Sequence, residues 1–366
     1  MKHLILSFLI SFSFVSNAQK DSTFSLDIYL SENLYLDAAV DSIFSTLNVN
    51  SIVAQLLMPA VGRLGQHKDT IKSYIESQLI GGVLLLNGTK EQFKGWTSTY
   101  EKMNSEIGNL PFLYSADAEP SLVNRKMIGS KKVPRANAIK SLEEVTSVTK
   151  TISNDLNDVG VNYNFSPVVD VAKNTTVGYR GFNYKPENVI PFSAAFIEQT
   201  QKQNIVATAK HFPGHGLITG DTHKSLQIID GELKELKNYP PLIDGGVLSV
   251  MIAHIAVKNN ELFGTSGLPS TLSENMVKNL LRDSLNFKGL IVTDAMNMGG
   301  VAKVPQAAMK ALDAGCDIIL MPLNVRKAHK NILEKYLSDE KYKVKVETAA
   351  KRVIRMKICL GLIEIN

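Results

Sequence analysis

Fourteen residues, Lys210 to His223, hold a lysine, three histidines (His211, His215, His223) and Asp221, broken by Pro213, Gly214, Gly216 and Gly220. A packed core has no use for so many titratable groups in one place. A site that moves protons or grips a polar ligand does. Asp221 and His223 stand two apart in a glycine-flanked loop. In an extended or turning backbone that spacing lets a carboxylate meet an imidazole, orient the ring, fix its tautomer and favour its protonated form. Such a histidine can give a proton to a leaving oxygen and later take one from water. An exposed loop without a role is the plain alternative. The histidines also admit a metal, since His211, His215, His223 and His254 are suitable ligand types. However, His211 and His215 are separated by Pro213 and Gly214 and cannot share a helix face. The spacing matches no metal motif, so neither a metal nor another cofactor is expected. Asp294, in the run LIVTDAMNM, is a further carboxylate. Alone it reads equally as nucleophile, base, metal ligand or the N-cap of a following helix.

Those residues need elements to carry them. Eight short apolar runs recur along the chain: Gln55–Val61, Gly82–Leu86, Phe112–Ala116, Asn162–Val169, Ile205–Lys210, Ser249–Ile255, Gly289–Thr293 and Asp317–Met321. Several are nearly continuous in Val, Ile, Leu and Ala, as strands buried on both faces of a parallel sheet are. Helix-like spacing lies between them, as in Ser141–Val161, Ser273–Leu285 and Val304–Gly315. The alternation predicts an α/β protein, an eight-fold β/α (TIM-like) barrel in a single domain over residues 22–366. An open doubly wound sheet is the rival. The polar residues fall where a barrel would use them: Asp117, Asp170, Lys210, His211, His254 and Asp294 all come at the ends of the expected strands. The three glycines would give the His-rich loop freedom to open and close.

The rest of the composition narrows the function. Lys2 and His3 precede twelve largely apolar residues, Leu4–Val15, and small residues lead to Ala18. That is the layout of a secretory signal peptide, residues 1–18, so export to the periplasm or beyond is expected. The apolar stretch is too short to span a bilayer. No cysteine stands near the cut to carry a lipid. A net charge of +5 is spread without a basic stripe, so no nucleic-acid partner is expected. Cys316 and Cys359 lie in apolar surroundings and read as two buried free thiols.

Taken together, the motifs resemble glycoside hydrolase family 3, most closely its single-domain β-N-acetylglucosaminidase branch. KHFPGHG, four residues, then Asp-Thr-His is similar to that branch's KHFPGHG…DSH signature, and VTDAMNM is similar to the family's SDDLSM segment. NYNFSPVVDV, YRGF, MIAHI, LPSTLS, LLRDSLNFKGLIVTDA and AGCDIILMP each resemble a family segment as well. The resemblance implies a β/α barrel and a retaining mechanism. Asp294 would be the nucleophile, and His223 backed by Asp221 the acid/base. Lys210, His211, Arg180 and Arg125 would bind the sugar, and Asp117 would hold its distal hydroxyls.

The chain also departs from the pattern. The family's DQEGGRVQR reads DAEPSLVNR here: Asp117, Glu119 and Arg125 keep their places, while Pro120, Ser121 and Leu122 replace two glycines and an arginine. Leu217 stands where an acidic residue usually follows the signature. These changes bear on the outer subsite and the leaving-group preference. Two-domain β-glucosidase relatives take their acid/base from a second domain, which the remaining length here does not accommodate. The expectation is a retaining exo-β-glycosidase acting on an oligosaccharide, with terminal N-acetylglucosamine on peptidoglycan- or chitin-derived fragments as the first choice and a monomer favoured. A β-glycoside phosphorylase or β-glucosidase, a non-catalytic sugar-binding protein and a metal-dependent barrel hydrolase are the alternatives.

Overall fold

A computed structural model describes residues 24–171, 174, 177–182 and 186–365. The expected leader lies outside them. All eight apolar runs contain strands, and every pairing among them is parallel. Seven strands form one curled sheet in the order Leu290–Thr293, Ser249–Ile252, Val206–Phe212, Tyr163–Asn164, Leu113–Ala116, Gly82–Leu85, Ala60–Val61. Each strand neighbours its sequence successor, as right-handed β-helix-β units require. The side chains on these strands are buried on both faces, which explains the unbroken apolar runs. Each fully buried Val, Leu or Ile contributes roughly 1.5–3 kcal/mol.

The first run is split. Pro59 has no N–H to give to a ladder. Before it, Leu57–Met58 pairs with Ile319–Leu320, and after it Ala60–Val61 pairs with Leu84–Leu85. Ile318 in turn bridges Val292, and the Thr293 N–H donates to the Ile318 carbonyl at 3.0 Å. The fourth run is shorter than expected, with regular strand at Tyr163–Asn164 alone. Beyond it, at Ser166-Pro167, the chain still runs beside the fifth strand: the Thr208 N–H donates to Ser166, and the Val169 N–H donates to Lys210.

The helices follow the expected segments with shifted ends. Leu142–Asp158 is N-capped by the Ser141 side chain, which accepts the Glu144 N–H. The segment after Ser273 forms a π-helix, Asn275–Ser284. Ala307–Ala314 starts beyond Pro305 and stops at Gly315, whose φ of 110° suits a left-handed helix C-cap. A small parallel pair, Gln227–Asp230 with Ile255–Lys258, sits outside the main sheet. It ties the segment after the His-rich loop to the one after the sixth run. Both cysteines are free and buried.

Candidate active site

The strand ends place the polar residues around one cleft of about 470 Å3, lined by Asp117, Arg125, Arg180, Lys210, His211, His223 and Asp294 among others. That volume is usual for a small-molecule site. Of the residues expected to act there, Asp221 alone is not in the lining; it stands behind His223.

A ladder of alternating charge forms one wall. Lys210, 1% exposed on its strand, sets its ammonium 2.8 Å from Asp117 Oδ1 and 2.6 Å from Glu119 Oε1. Arg180 grips Glu119 through two hydrogen bonds, Nε to Oε2 at 2.9 Å and a terminal nitrogen to Oε1 at 2.6 Å. Lys126 closes the other end on Asp117 Oδ2 at 2.5 Å. Burial alone would raise both carboxyls. Lys126 and Lys210 instead hold Asp117 far below the usual carboxylate range, and Arg180 with Lys210 brings Glu119 down to about 2. Burial would lower Lys210, but Asp117 and Glu119 raise it. The wall is therefore fully ionised and fixed in place, a preorganised set of charges for polar recognition. Sequence reading placed Asp117, Arg180 and Lys210 at the site. It kept Glu119 only as a matched position and passed over Lys126, which directly follows Arg125. Arg125 itself is exposed at the cleft and has no ion-pair partner among the described residues.

The fifth strand runs on to Phe212 but is irregular beyond Lys210. Its pairing with the sixth slips, so that Met251 faces Lys210 while Ile252 faces Phe212. Such an irregularity re-aims a side chain, and His211 is the residue left over. Its Nδ1 lies 2.7 Å from Asp170 Oδ2, and the other oxygen of Asp170 accepts the His215 N–H at 2.8 Å. His215, which sequence reading left without a role, places Nε2 2.8 Å from the Thr222 hydroxyl. Burial, followed by the neighbouring His211, lowers its imidazole to about 4.

Asp294 directly follows its strand. Its N–H donates to the Ile252 carbonyl at 2.9 Å, and its Oδ1 accepts the Ala295 N–H at 2.7 Å. The next helix begins at Ala307, too far on for Asp294 to cap it. Burial would raise the Asp294 carboxyl, but His211, His254, the Ala295 N–H and His223 outweigh it and keep it ionised. His254 is enclosed between the Thr271 hydroxyl at 2.8 Å and the Ala295 carbonyl at 3.0 Å. Burial lowers its imidazole. It braces the Asp294 segment.

Across the cleft, His223 Nδ1 lies 2.8 Å from Asp221 Oδ1, and the same oxygen accepts the His223 N–H at 3.0 Å. The pair is solvent-accessible, with the His223 side chain 59% exposed. This matches the expected i, i+2 meeting. Beside the freedom expected of them the glycines have a packing role, and Gly214 takes a φ of 135° that favours glycine. A β-carbon at Gly216 would fall 1.9 Å from the Val171 carbonyl, at Gly214 2.5 Å from Glu235 Cβ, and at Gly220 1.8 Å from the Gln227 amide. They permit close packing. Glu235, missed in the sequence, is the anchor beneath them. Its carboxyl accepts the N–H groups of Val171 at 2.5 Å, Gly216 at 2.9 Å and Leu217 at 3.2 Å. Burial and then Asp170 push it up to about 8.

The four histidines thus engage separate side-chain partners, Asp170, Thr222, Asp221 and Thr271, and His254 meets the Ala295 carbonyl as well. Among the described residues no group of three or more His, Cys, Asp or Glu side chains could hold a metal ion.

The parallel-strand sheet thus carries a carboxylate, imidazoles and a charged wall around one cleft at its strand ends. The chain belongs to glycosyl hydrolase family 3: the profile of that family's N terminal domain matches residues 48–356. It is similar to a beta-N-acetylglucosaminidase/beta-glucosidase of Cellulomonas fimi, 28% identical over 308 residues, covering 77% of this chain and 53% of that protein. It is also similar to a beta-hexosaminidase of Methylobacillus flagellatus, 25% identical over 304 residues, covering 77% and 83%. Among solved structures, the family 3 beta-N-acetylglucosaminidase of Paenibacillus sp. FPU-7 superposes with a TM-score of 0.79 at 27% identity, covering 86% of this chain and 63% of that one. The chain thus spans about half the length of the Cellulomonas relative. These likenesses support the hexosaminidase branch as well as the family.

Proposed function

We propose that this chain is a retaining exo-β-glycosidase, with β-N-acetylglucosaminidase activity on oligosaccharides derived from peptidoglycan or chitin. The observation that carries the reading is the placement of Asp294 and His223 on one cleft, with Asp221 seated 2.8 Å behind the imidazole. Asp294, ionised and braced by Ala295 and Ile252, attacks the anomeric carbon. His223 protonates the leaving oxygen and then activates water to release the sugar, with Asp221 balancing the charge on its ring. The wall from Lys126 to Arg180 and His211 hold the sugar's hydroxyls. The names of the relatives support N-acetylglucosamine as the terminal sugar. We further propose that the curled sheet closes into an eight-fold barrel, a reading supported by the Leu57–Met58 pairing with Ile319–Leu320 and by the Val292–Ile318 bridge. Export rests on the composition of residues 1–18.

The test is hydrolysis of aryl β-glycosides of N-acetylglucosamine, glucose and xylose. N-acetylglucosaminide should turn over fastest. Asp294→Ala should abolish turnover, and near-normal activity in that variant overturns the assignment. A neutral acid/base does not repel phosphate as a carboxylate would, so transfer to phosphate is a variant of the same mechanism. Product analysis with and without phosphate separates the two.

A further inference from the structure

The Asp221–His223 bond is local. It fixes the ring relative to its own loop and does not place that loop over the cleft. Upstream, the Asn174 amide donates to the carbonyls of Ile218 at 2.6 Å and Gly220 at 3.1 Å. At Thr222 and His223, ahead of the Gln227–Asp230 pairing with Ile255–Lys258, the backbone attachment comes from the segment that follows Asp294. The Gly300 N–H donates to the Thr222 carbonyl at 3.0 Å, and the Gly299 N–H donates to the His223 carbonyl at 2.9 Å. Thr222 is buried, and its hydroxyl meets His215. The two backbones approach so closely that a side chain is excluded at Gly299 and cramped at Gly300. A β-carbon at Gly299 would lie 2.3 Å from the Lys224 carbonyl oxygen and 2.8 Å from that of His223. At Gly300 it would lie 3.0 Å from His254 Cβ and 3.3 Å from the Thr222 oxygen. Neither glycine takes a left-handed φ, so their backbones would accept alanine. Clearance is what demands glycine.

We propose that Gly299 and Gly300 are positioning residues that latch the proton-transfer loop onto the nucleophile's own strand-end connection. The inference rests on the reading of His223 as acid/base. Asp294 and His223 come from different strands, and the distance between them decides whether one can attack while the other protonates. Hydrogen-bonding the His223 backbone to a segment that starts at Asp294 sets that distance without a side chain entering the cleft. His215, through Thr222, seats the same loop on the fifth strand.

The experiment compares kcat/KM on two aryl β-N-acetylglucosaminides, phenyl with a poor leaving group and 2,4-dinitrophenyl with a good one. The proteins are wild type, His223→Ala, Gly299→Ala and Thr222→Val. A misplaced acid slows the phenyl substrate by about 100-fold and leaves the dinitrophenyl substrate nearly unchanged. The latch predicts this selective loss in Gly299→Ala and, to a lesser degree, in Thr222→Val. If His223→Ala is selective while Gly299→Ala affects both substrates equally or neither, the latch is wrong and the acid/base assignment stands. If His223→Ala is not selective, the acid/base assignment falls and takes the latch with it. Should Gly299→Ala fail to fold, amide hydrogen exchange on the wild type decides the matter. Slow exchange at Gly299 and Gly300 is expected, and exchange at the free-loop rate overturns the proposal.

Discussion

Asp170 and His211 meet at 2.7 Å, Oδ2 to Nδ1, in a buried contact, while the other oxygen of Asp170 accepts the His215 N–H at 2.8 Å. One carboxylate at the end of the fourth run therefore fixes both ends of the turn from His211 to His215. Asp170→Asn sets an amide NH2 where a carboxylate oxygen now faces one of these donors. The expected outcome is a loss of about 1–3 kcal/mol in stability, with a fall in kcat/KM for the N-acetylglucosaminide. Chemical denaturation and steady-state kinetics on the same preparation check both. An unchanged kcat/KM would show that His211 does not need this partner.

The ladder from Lys126 to Arg180 predicts a specific acid sensitivity. Glu119 titrates at about 2 in the fold against 4.5 ordinarily, and Asp117 is also depressed. A depressed carboxyl contributes stability that is complete above its unfolded pKa and is lost as pH falls through the folded one. Stability should therefore drop from pH 4.5 toward 2, by on the order of 3 kcal/mol from Glu119 alone. Lys210→Met removes the shared cation. It should cost about 3–5 kcal/mol at neutral pH, because two buried carboxylates lose a partner. It should also move acid unfolding to higher pH. Urea melts between pH 7 and 2 on both proteins measure this.

A third expectation concerns a group remote from the cleft. Lys357 is fully buried, donates to Gln55 Oε1 at 2.5 Å and to the Gly81 carbonyl at 3.0 Å, and meets no carboxylate among the described residues. Burial lowers it from 10.5 to about 7, with Glu101 opposing weakly. Between those values the unfolded chain binds the proton and the fold does not, so this lysine makes stability rise with pH from 7 to 10.5. Glu235, raised to about 8 from 4.5, acts in the opposite sense between 4.5 and 8. Subtraction isolates the lysine: the melting temperature of wild type minus that of Lys357→Met should climb over pH 7 to 10. A flat difference would mean that the ammonium is not desolvated.

Much of the fold was legible because a strand buried on both faces leaves no polar position in its run. All eight strand positions, the strand-end carboxylates and the Asp221–His223 meeting could be read from residue type and short spacing. What could not be read depends on contacts across long separations. Glu235 grips Val171 and Gly216 from a segment with no motif of its own. Lys126 competes with Arg125 one residue away, and only the local helical turn decides which of them reaches Asp117. His215 found its purpose through Thr222, whose own carbonyl is engaged by Gly300. The packing role of the loop glycines was not legible because freedom and close approach leave the same mark in a sequence. The coordinates of the neighbouring atoms distinguish them.

Pro59 has a consequence for the order of events on the ribosome. Leu57–Met58 finds its strand partner in Ile319–Leu320, more than two hundred and fifty residues later, although the Leu57 carbonyl already accepts the Gly81 N–H at 3.1 Å. While the intervening units are made and can stack one upon the next, this pair of residues emerges early and waits with unpaired backbone groups. This pairing forms only after nearly the whole chain has been made. An exposed, waiting edge is where a nascent chain is most open to mispairing. The two residues just before Pro59 are thus a place where synthesis and folding run out of step.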